Sequence, residues 1–250
     1  MSFRTDVNDG IACIEVSHGK ANALDLELCH ALTDELERLG PDARSLVITG
    51  AGRIFSAGVD LRRLSEEGED YTRRFLPALD RLILTLFQFP RPVVAAINGH
   101  AIAGGCVLAC AADYRLMAEG AFKIGVPELA VGVPFPPAAL ETLRFAAPER
   151  YVQELTQGEK MYTPAEAGAH GLVHQVVPPP ALMASALKEA GRLASLQPRA
   201  FSLTKAISRR PVVDRIAHLN QEYAAAVLAA WLEPDTRSAI KRYVEATLRR

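Results

Sequence analysis

The chain has 250 residues, 28 lysines and arginines against 29 aspartates and glutamates, and a formal net charge of −1. That length suits one large domain or a domain with an appendage, and the even charge balance provides no electrostatic footprint for nucleic acid. The four cysteines (Cys13, Cys29, Cys106, Cys110) have neither zinc-ligand spacing nor the pattern of a secreted disulfide framework. Buried free thiols in a reducing cytoplasm are expected, and no metal site.

Residues 1–16 read as a strand, a turn at Asn8-Asp9-Gly10 and a second strand. They lack the apolar core flanked by positive charge that a signal peptide needs. Residues 25–39 form a helix, because Leu28, Ala31, Leu32, Leu36 and Leu39 fall on one stripe and Gly40-Pro41 ends it. The run SLVITG (45–50) is a buried strand, followed by the glycine-punctuated loop AGRIFSAGVDL (51–61). Residues 62–76 are densely charged and are expected to be mobile. A helix over 78–88 points Leu79, Leu82, Ile83 and Leu86 inward, and Phe89-Pro90-Arg91-Pro92 breaks it.

Residues 92–112 contain no Asp, Glu, Lys or Arg, a length that could cross a bilayer. The prolines before it and Asn98-Gly99 within it split it instead into a strand (93–97), a glycine loop and a short buried helix, so no membrane span is expected. Short strands follow at 114–117 and 122–124, and helices at 138–146 and 149–157. Thr163-Pro164 has the form of a helix N-cap with proline at the first turn. LVHQVV (172–177) is a further strand, and from 181 the chain is helical with breaks at Pro198, Pro211 and Pro234. Alternating strands and helices followed by a helical tail predict an α/β fold with a C-terminal α-helical region, divided near residue 195 into a 1–195 core and a 196–250 helical part. Lys241, Arg242, Arg249 and Arg250 make the end basic, which reads as a solvated helix face.

Chemistry concentrates in two loops that each follow a buried strand, FSAGVDL and GHAIAGG. Neither matches the dinucleotide or phosphate-loop patterns. Helices starting after Gly58 and Gly104 leave unpaired N–H groups. Two such groups aimed at one point make an oxyanion hole, and two tight strand-to-helix turns fit the same residues. Glu128 lies in the apolar run FKIGVPELAVGVPF, where desolvation would raise its pKa, unless it points out to water. Asp113 ends an apolar helix and reads as a structural cap or pair. His100 reads as a turn residue, and no Ser-His-Asp set can be assembled.

FSAGVDL, PVVAAINGHAIAGGCVLACAADYRLMAE and FKIGVPELAVGV, in this order and spacing, resemble the enoyl-CoA hydratase/isomerase (crotonase) family from about residue 10 to the end. KANALD (20–25) and AEAGAHGLVHQVVP (165–178) belong to the same resemblance. It implies a crotonase-like spiral of β-β-α units, a C-terminal helical region that builds a homotrimer or hexamer, and an acyl-CoA substrate that brings coenzyme A with it, so that no separate cofactor is needed. By motif position the oxyanion-hole N–H groups fall on Ala57 and Gly104. Lys20, Ala21, Asn22, Ala23, Leu24, Asp60 and Leu61 would line the coenzyme A moiety, largely through backbone. Members that hydrate 2-enoyl-CoA carry one glutamate at the position of Val107 and a second at that of Glu128. Valine cannot hold a proton or orient water. With Glu128 alone, the pattern is similar to the Δ3,Δ2-enoyl-CoA isomerase branch, although that branch usually has Asn-Glu where this chain has Pro127-Glu128. Val107, Leu61, Leu64 and Phe135 are expected to form a dry wall around Glu128. Hydration by a single glutamate, another oxyanion-hole reaction such as decarboxylation or thioester hydrolysis, and a non-catalytic acyl-CoA-binding role are the alternatives.

Overall fold

Three turns of a spiral, each made of two strands and a helix, carry the chain from an N-terminal hairpin to a helical tail. The computed structural model describes residues 2–248, so Arg249 and Arg250 lie outside the described residues. The hairpin is β1 (Phe3–Asn8) and β2 (Ile11–Val16), antiparallel with Asn8 opposite Ile11. Its two-residue turn places Asp9 and Gly10 at φ 50° and 78°, the mirror-image geometry that matches strand twist. Helix α1 (Leu26–Leu39) follows, capped by the Asp25 carboxylate, which accepts from the Leu28 N–H at 2.8 Å. Its Leu28, Leu32, Leu36 and Leu39 stripe is buried as expected.

The first turn is β3 (Ser45–Gly50), β4 (Ile54–Ser56) and α2 (Leu61–Phe87). The second is β5 (Val93–Ile97), β6 (His100–Ile102) and α3 (Gly104–Ala111), and the third is β7 (Tyr114–Ala118), β8 (Ile124–Gly125) and α4 (Glu128–Val131). The first strand of each turn joins one parallel sheet, ordered β1-β2-β3-β5-β7-β9 once β9 (Gln175–Val177) is added. The second strand of each turn joins a small parallel sheet, β4-β6-β8. β3 and β5 are buried along their whole length, which accounts for their unbroken apolar runs. Between β8 and β9 run α5 (Pro137–Ala146), α6 (Glu149–Thr156) and α7 (Pro164–Ala169), the last with a full capping box between Thr163 and Glu166. Helix α8 (Leu182–Ala194) packs on β3, β5 and β7, and the tail is α9 (Pro198–Leu232) and α10 (Pro234–Leu248).

Two expectations change. Residues 62–76 are helical, not a loose segment: they open α2. Arg62–Glu66 (2.8 Å) and Arg63–Glu67 (2.6 Å) bridge one turn on the outer face, while Leu64, Tyr71 and Phe75 are buried. Gly68, at φ 79° and ψ −155°, is the one non-helical residue inside α2. Pro211, in turn, does not break the tail, because α9 runs through it. The flanking Lys205, Arg209, Val212 and Ile216 are buried against the core, and this packing outweighs the roughly 3 kcal/mol that an internal proline costs.

The tail is locked to the spiral by a buried charge cluster. Asp113 accepts from Lys205 Nζ (2.6 Å), an Arg209 terminal nitrogen (2.7 Å) and the Val93 N–H (2.8 Å). Arg209 also donates to the Phe87 and Ala111 carbonyls, and Arg115 donates to those of Ala112 (3.2 Å), Ala146 (3.2 Å) and Leu172 (2.7 Å). Phe87, Ala111–Ala112 and Ala146 are the C-terminal ends of α2, α3 and α5. Each helix end carries about −0.5 charge. Three ends and Asp113 therefore come close to balancing the three cations. Asp113 is structural, as its sequence position suggested.

Candidate active site

Each turn of the spiral delivers one element to the same place beyond the small sheet. Val59 follows the end of β4 by three residues, Gly104 follows β6 by two, and Glu128 follows β8 by three. The first two loops touch. A Cβ on Gly58 (φ 80°) would stand 2.7 Å from both the Ile102 oxygen and the Ala103 Cβ, and 2.9 Å from the Gly104 nitrogen. One on Gly105 would meet the Ser56 Cβ at 2.8 Å. Only glycine permits that approach. Ala103, the residue that aims α3, is held at φ 52° and ψ −126°, a region costly for an L-residue.

The register of one β-bridge decides which N–H groups are open. Leu24 donates to the Gly58 oxygen (2.7 Å) and accepts from the Asp60 N–H (2.9 Å), so the bridged residue Val59 turns its own N–H away from the 20–24 segment. The N–H groups of Val59 and Gly104 have no acceptor among the described residues. Ala57 does not have an open N–H: it donates to the Ala21 oxygen at 3.0 Å. Ala57, expected as one of the two donors, therefore has no N–H to offer, and the open N–H groups here are those of Val59 and Gly104.

Beyond these donors lies a narrow cavity of about 70 Å³. Val59, Gly104, Val107 and Glu128 line it together with Leu61, Leu79, Ile83, Ile102, Trp231 and Tyr243. Val107 is fully buried. Glu128 is 9% exposed and its Oε2 has no hydrogen-bond partner. Burial is the main cause that raises its pKa to about 7, and its own backbone amide opposes the rise weakly. A carboxyl poised near neutrality beside two unpaired N–H donors can move protons next to an oxyanion. Leu64 and Phe135, expected in the dry wall, do not line this cavity: Leu64 is in the core, and Phe135 packs against it.

Comparison with known proteins fits this arrangement. A family model described as enoyl-CoA hydratase/isomerase matches residues 6–248. The chain belongs to that family. It is 31% identical over 215 residues to human mitochondrial enoyl-CoA delta isomerase 1, covering 84% of this chain and 71% of that protein. It is 34% identical over 211 residues to a carnitinyl-CoA dehydratase of Salmonella arizonae, covering 83% and 80%. Its fold superposes on the crystal structure of human mitochondrial Δ3-Δ2-enoyl-CoA isomerase with a TM-score of 0.95 at 27% identity, over 100% of this chain and 99% of the other. The architecture is thus the crotonase spiral with its helical C-terminal region.

An open groove adjoins the cavity and shares Val59, Leu61, Ile102 and Tyr243 with it. Lys20, Ala21, Ala23, Ala57, Asp60 and Leu61 line it, with His18, Arg62, Tyr243 and Val244. Asn22 and Leu24 do not. Asn22 is buried at φ 49°. Its Nδ2 donates to the Ile54 oxygen (2.8 Å), and its Oδ1 accepts from the His18 N–H (2.9 Å). Leu24 spends its backbone on the bridge and its side chain beneath Gly104. Both shape the groove from behind. Asp60 turns its carboxylate to the Arg63 N–H (3.0 Å), capping α2. Residue-type reasoning passed over Val59, Leu79, Ile83, Trp231 and Tyr243. The α2 stripe already contained Leu79 and Ile83, but nothing local ties Trp231 and Tyr243 to Glu128. Among the described residues no group of His, Cys, Asp and Glu is arranged to hold a metal, and no helix is long and apolar enough to cross a membrane.

Proposed function

We propose that the protein is a Δ3,Δ2-enoyl-CoA isomerase. The observation that carries this reading is the single carboxyl of Glu128, its Oε2 without a hydrogen-bond partner, in a cavity where Val107 stands in place of a second acid. The thioester oxygen of a 3-enoyl-CoA accepts from the Val59 and Gly104 N–H groups. Glu128 takes a proton from C2, the electron pair forms a C1–C2 double bond, and the carbonyl π pair moves onto the oxygen, giving a dienolate conjugated with the C3–C4 double bond. Returning the same proton to C4 leaves the double bond between C2 and C3. Each donor of such a hole is worth about 2.7–4 kcal/mol of barrier, and the acid–base step about 10²–10⁴-fold. Water attack needs a second group to orient the water, and aliphatic side chains take that place here. The Lys20 groove holds the coenzyme A moiety, which arrives with the substrate, and no other cofactor enters the scheme. Self-assembly as a trimer or hexamer is part of this reading, through α9, whose Leu203 and Ile207 are 54% and 71% exposed.

The test offers 3-hexenoyl-CoA and crotonyl-CoA to the wild type and to Glu128→Gln. The expected result is conversion of the first to its 2-enoyl isomer, lost in the variant, with little hydration of the second. Robust hydration of crotonyl-CoA overturns the reading in favour of a single-glutamate hydratase, and equal turnover by both proteins removes Glu128 as the base. Sedimentation equilibrium reads the assembly state.

A further inference from the structure

A second, larger cavity of about 700 Å³ opens along the same two helices that wall the Glu128 pocket. On α2, Leu79 and Ile83 face the pocket, whereas Leu76, Asp80 and Leu84 face the second cavity. On α9, Trp231 faces the pocket, and Val227 and Leu228, about one turn earlier, face the second cavity. Pro136 lines both. The two cavities therefore lie on neighbouring faces of α2 and α9 and share the Pro136 wall.

The second cavity brings Asp80 and Asn220 together, and Asn220 acts on the Asp80 carboxyl to lower its pKa. Oδ1 of each is nevertheless buried with no partner. Both orphan atoms are acceptors, and burying an acceptor unpaired is costly. Burial raises Asp80 to about 6, so at neutral pH it is mostly ionised and can only accept. The two arginines that line the cavity do not satisfy it. Arg73 is 3.8 Å from Glu69, and Arg81 is 2.9 Å from Glu37. A ligand group that fits must donate. A carboxylate is repelled by Asp80, and an ammonium must give up its hydration beside Leu76, Leu84, Val227 and Leu228, which favours a neutral hydroxyl.

We propose that this cavity receives the distal part of the acyl chain and that Asp80 and Asn220 select acyl-CoA substrates carrying a hydroxyl near that end. The inference rests on the acyl group entering at Glu128, but not on which double bond moves. A merely structural Asp80–Asn220 pair would tie α2 to α9 without distinguishing one acyl chain from another.

The experiment measures dissociation constants by calorimetry for saturated acyl-CoAs from hexanoyl to hexadecanoyl, each with and without a terminal hydroxyl. Saturated chains bind without isomerisation or hydration. The hydroxyl is expected to tighten binding about tenfold, as for one hydrogen bond to a charged acceptor, at one chain length or two adjacent ones. Asp80→Asn, which keeps the shape, is expected to weaken that preference, and Asp80→Leu to reverse it towards the plain chain. The ratio between paired ligands on one protein cancels any general loss of stability. Equal binding of plain and hydroxylated chains at every length overturns the inference and leaves the isomerase reading intact, as does a preference that survives Asp80→Leu. Failure of every acyl-CoA to bind overturns both.

Discussion

Glu128 is placed where its charge costs the fold, and that cost can be measured apart from catalysis. Burial raises its pKa from the ordinary 4.5 to about 7. Between those two values the folded chain keeps a proton that the unfolded chain has released. Stability therefore falls as pH rises through that window, and the full cost is present above pH 7. At about 1.4 kcal/mol for each pH unit, the cost is about 3 kcal/mol at pH 8.5 and about 1.4 kcal/mol at pH 5.5. Glu128→Gln keeps the shape and removes the titration. The variant should be more stable than the wild type by those amounts, its advantage growing by about 2 kcal/mol between pH 5.5 and 8.5. At pH 8.5 this corresponds to a Tm higher by roughly 6–12 °C for a chain of this size. Urea unfolding of both proteins at several pH values, analysed with a common m value, reads the difference directly. An advantage that does not change with pH would refute the argument. It would mean that Glu128 meets solvent or a hidden partner in the folded state, and that the site holds no poised base.

The same titration should appear in catalysis: kcat/KM for 3-hexenoyl-CoA rises through about pH 7 as Glu128 ionises, falling about tenfold per pH unit below 6, and a flat profile from pH 5.5 to 8.5 contradicts the assigned base. Gly58→Ala places a methyl 2.9 Å from the Gly104 nitrogen, on backbone at φ 80°. Steady-state kinetics should show kcat reduced about 10²–10³-fold, the loss expected for one misplaced oxyanion donor; near-normal kcat removes the loop contact from the mechanism. Arg209→Met takes from the buried cluster the cation that joins Asp113 to the ends of α2 and α3. Denaturant unfolding should show a loss of about 3–5 kcal/mol, and a loss below 1 kcal/mol refutes the charge-balance account of how the tail is held.

What the sequence made legible were features with short-range physical causes. The α1 stripe, the turn at Asp9-Gly10, the Thr163 cap and the two glycine loops each announce themselves within about fifteen residues through periodicity or required backbone geometry. Glu128 was visible as a carboxyl without polar neighbours, and Asp113 as an acid that closes an apolar helix. The partners of Asp113 were not visible. Lys205 and Arg209 lie 92 and 96 residues further on, and only the packing of α9 brings them near. Residues 62–76 are ordered despite their charge density. In a helix, charge on the outer face is compatible with Leu64, Tyr71 and Phe75 on the inner one.

That Ala57 has no N–H to offer, and Val59 has one, has a different origin. A motif identifies a loop, but the direction of each N–H along that loop is set by what the neighbouring segment binds. Here Leu24 takes the Gly58 oxygen and the Asp60 N–H, and Ala21 takes the Ala57 N–H. The donor left over is Val59, beside Gly104. Asn22 and Leu24 follow the same logic, because they stand behind the loop and are consumed in holding it. KANALD therefore contributes in two ways: Lys20, Ala21 and Ala23 face the groove, while Asn22 and Leu24 fix the register that frees the Val59 donor. A substitution such as Asn22→Leu, which touches neither cavity, should act on turnover through the position of that donor and not through contact with the substrate.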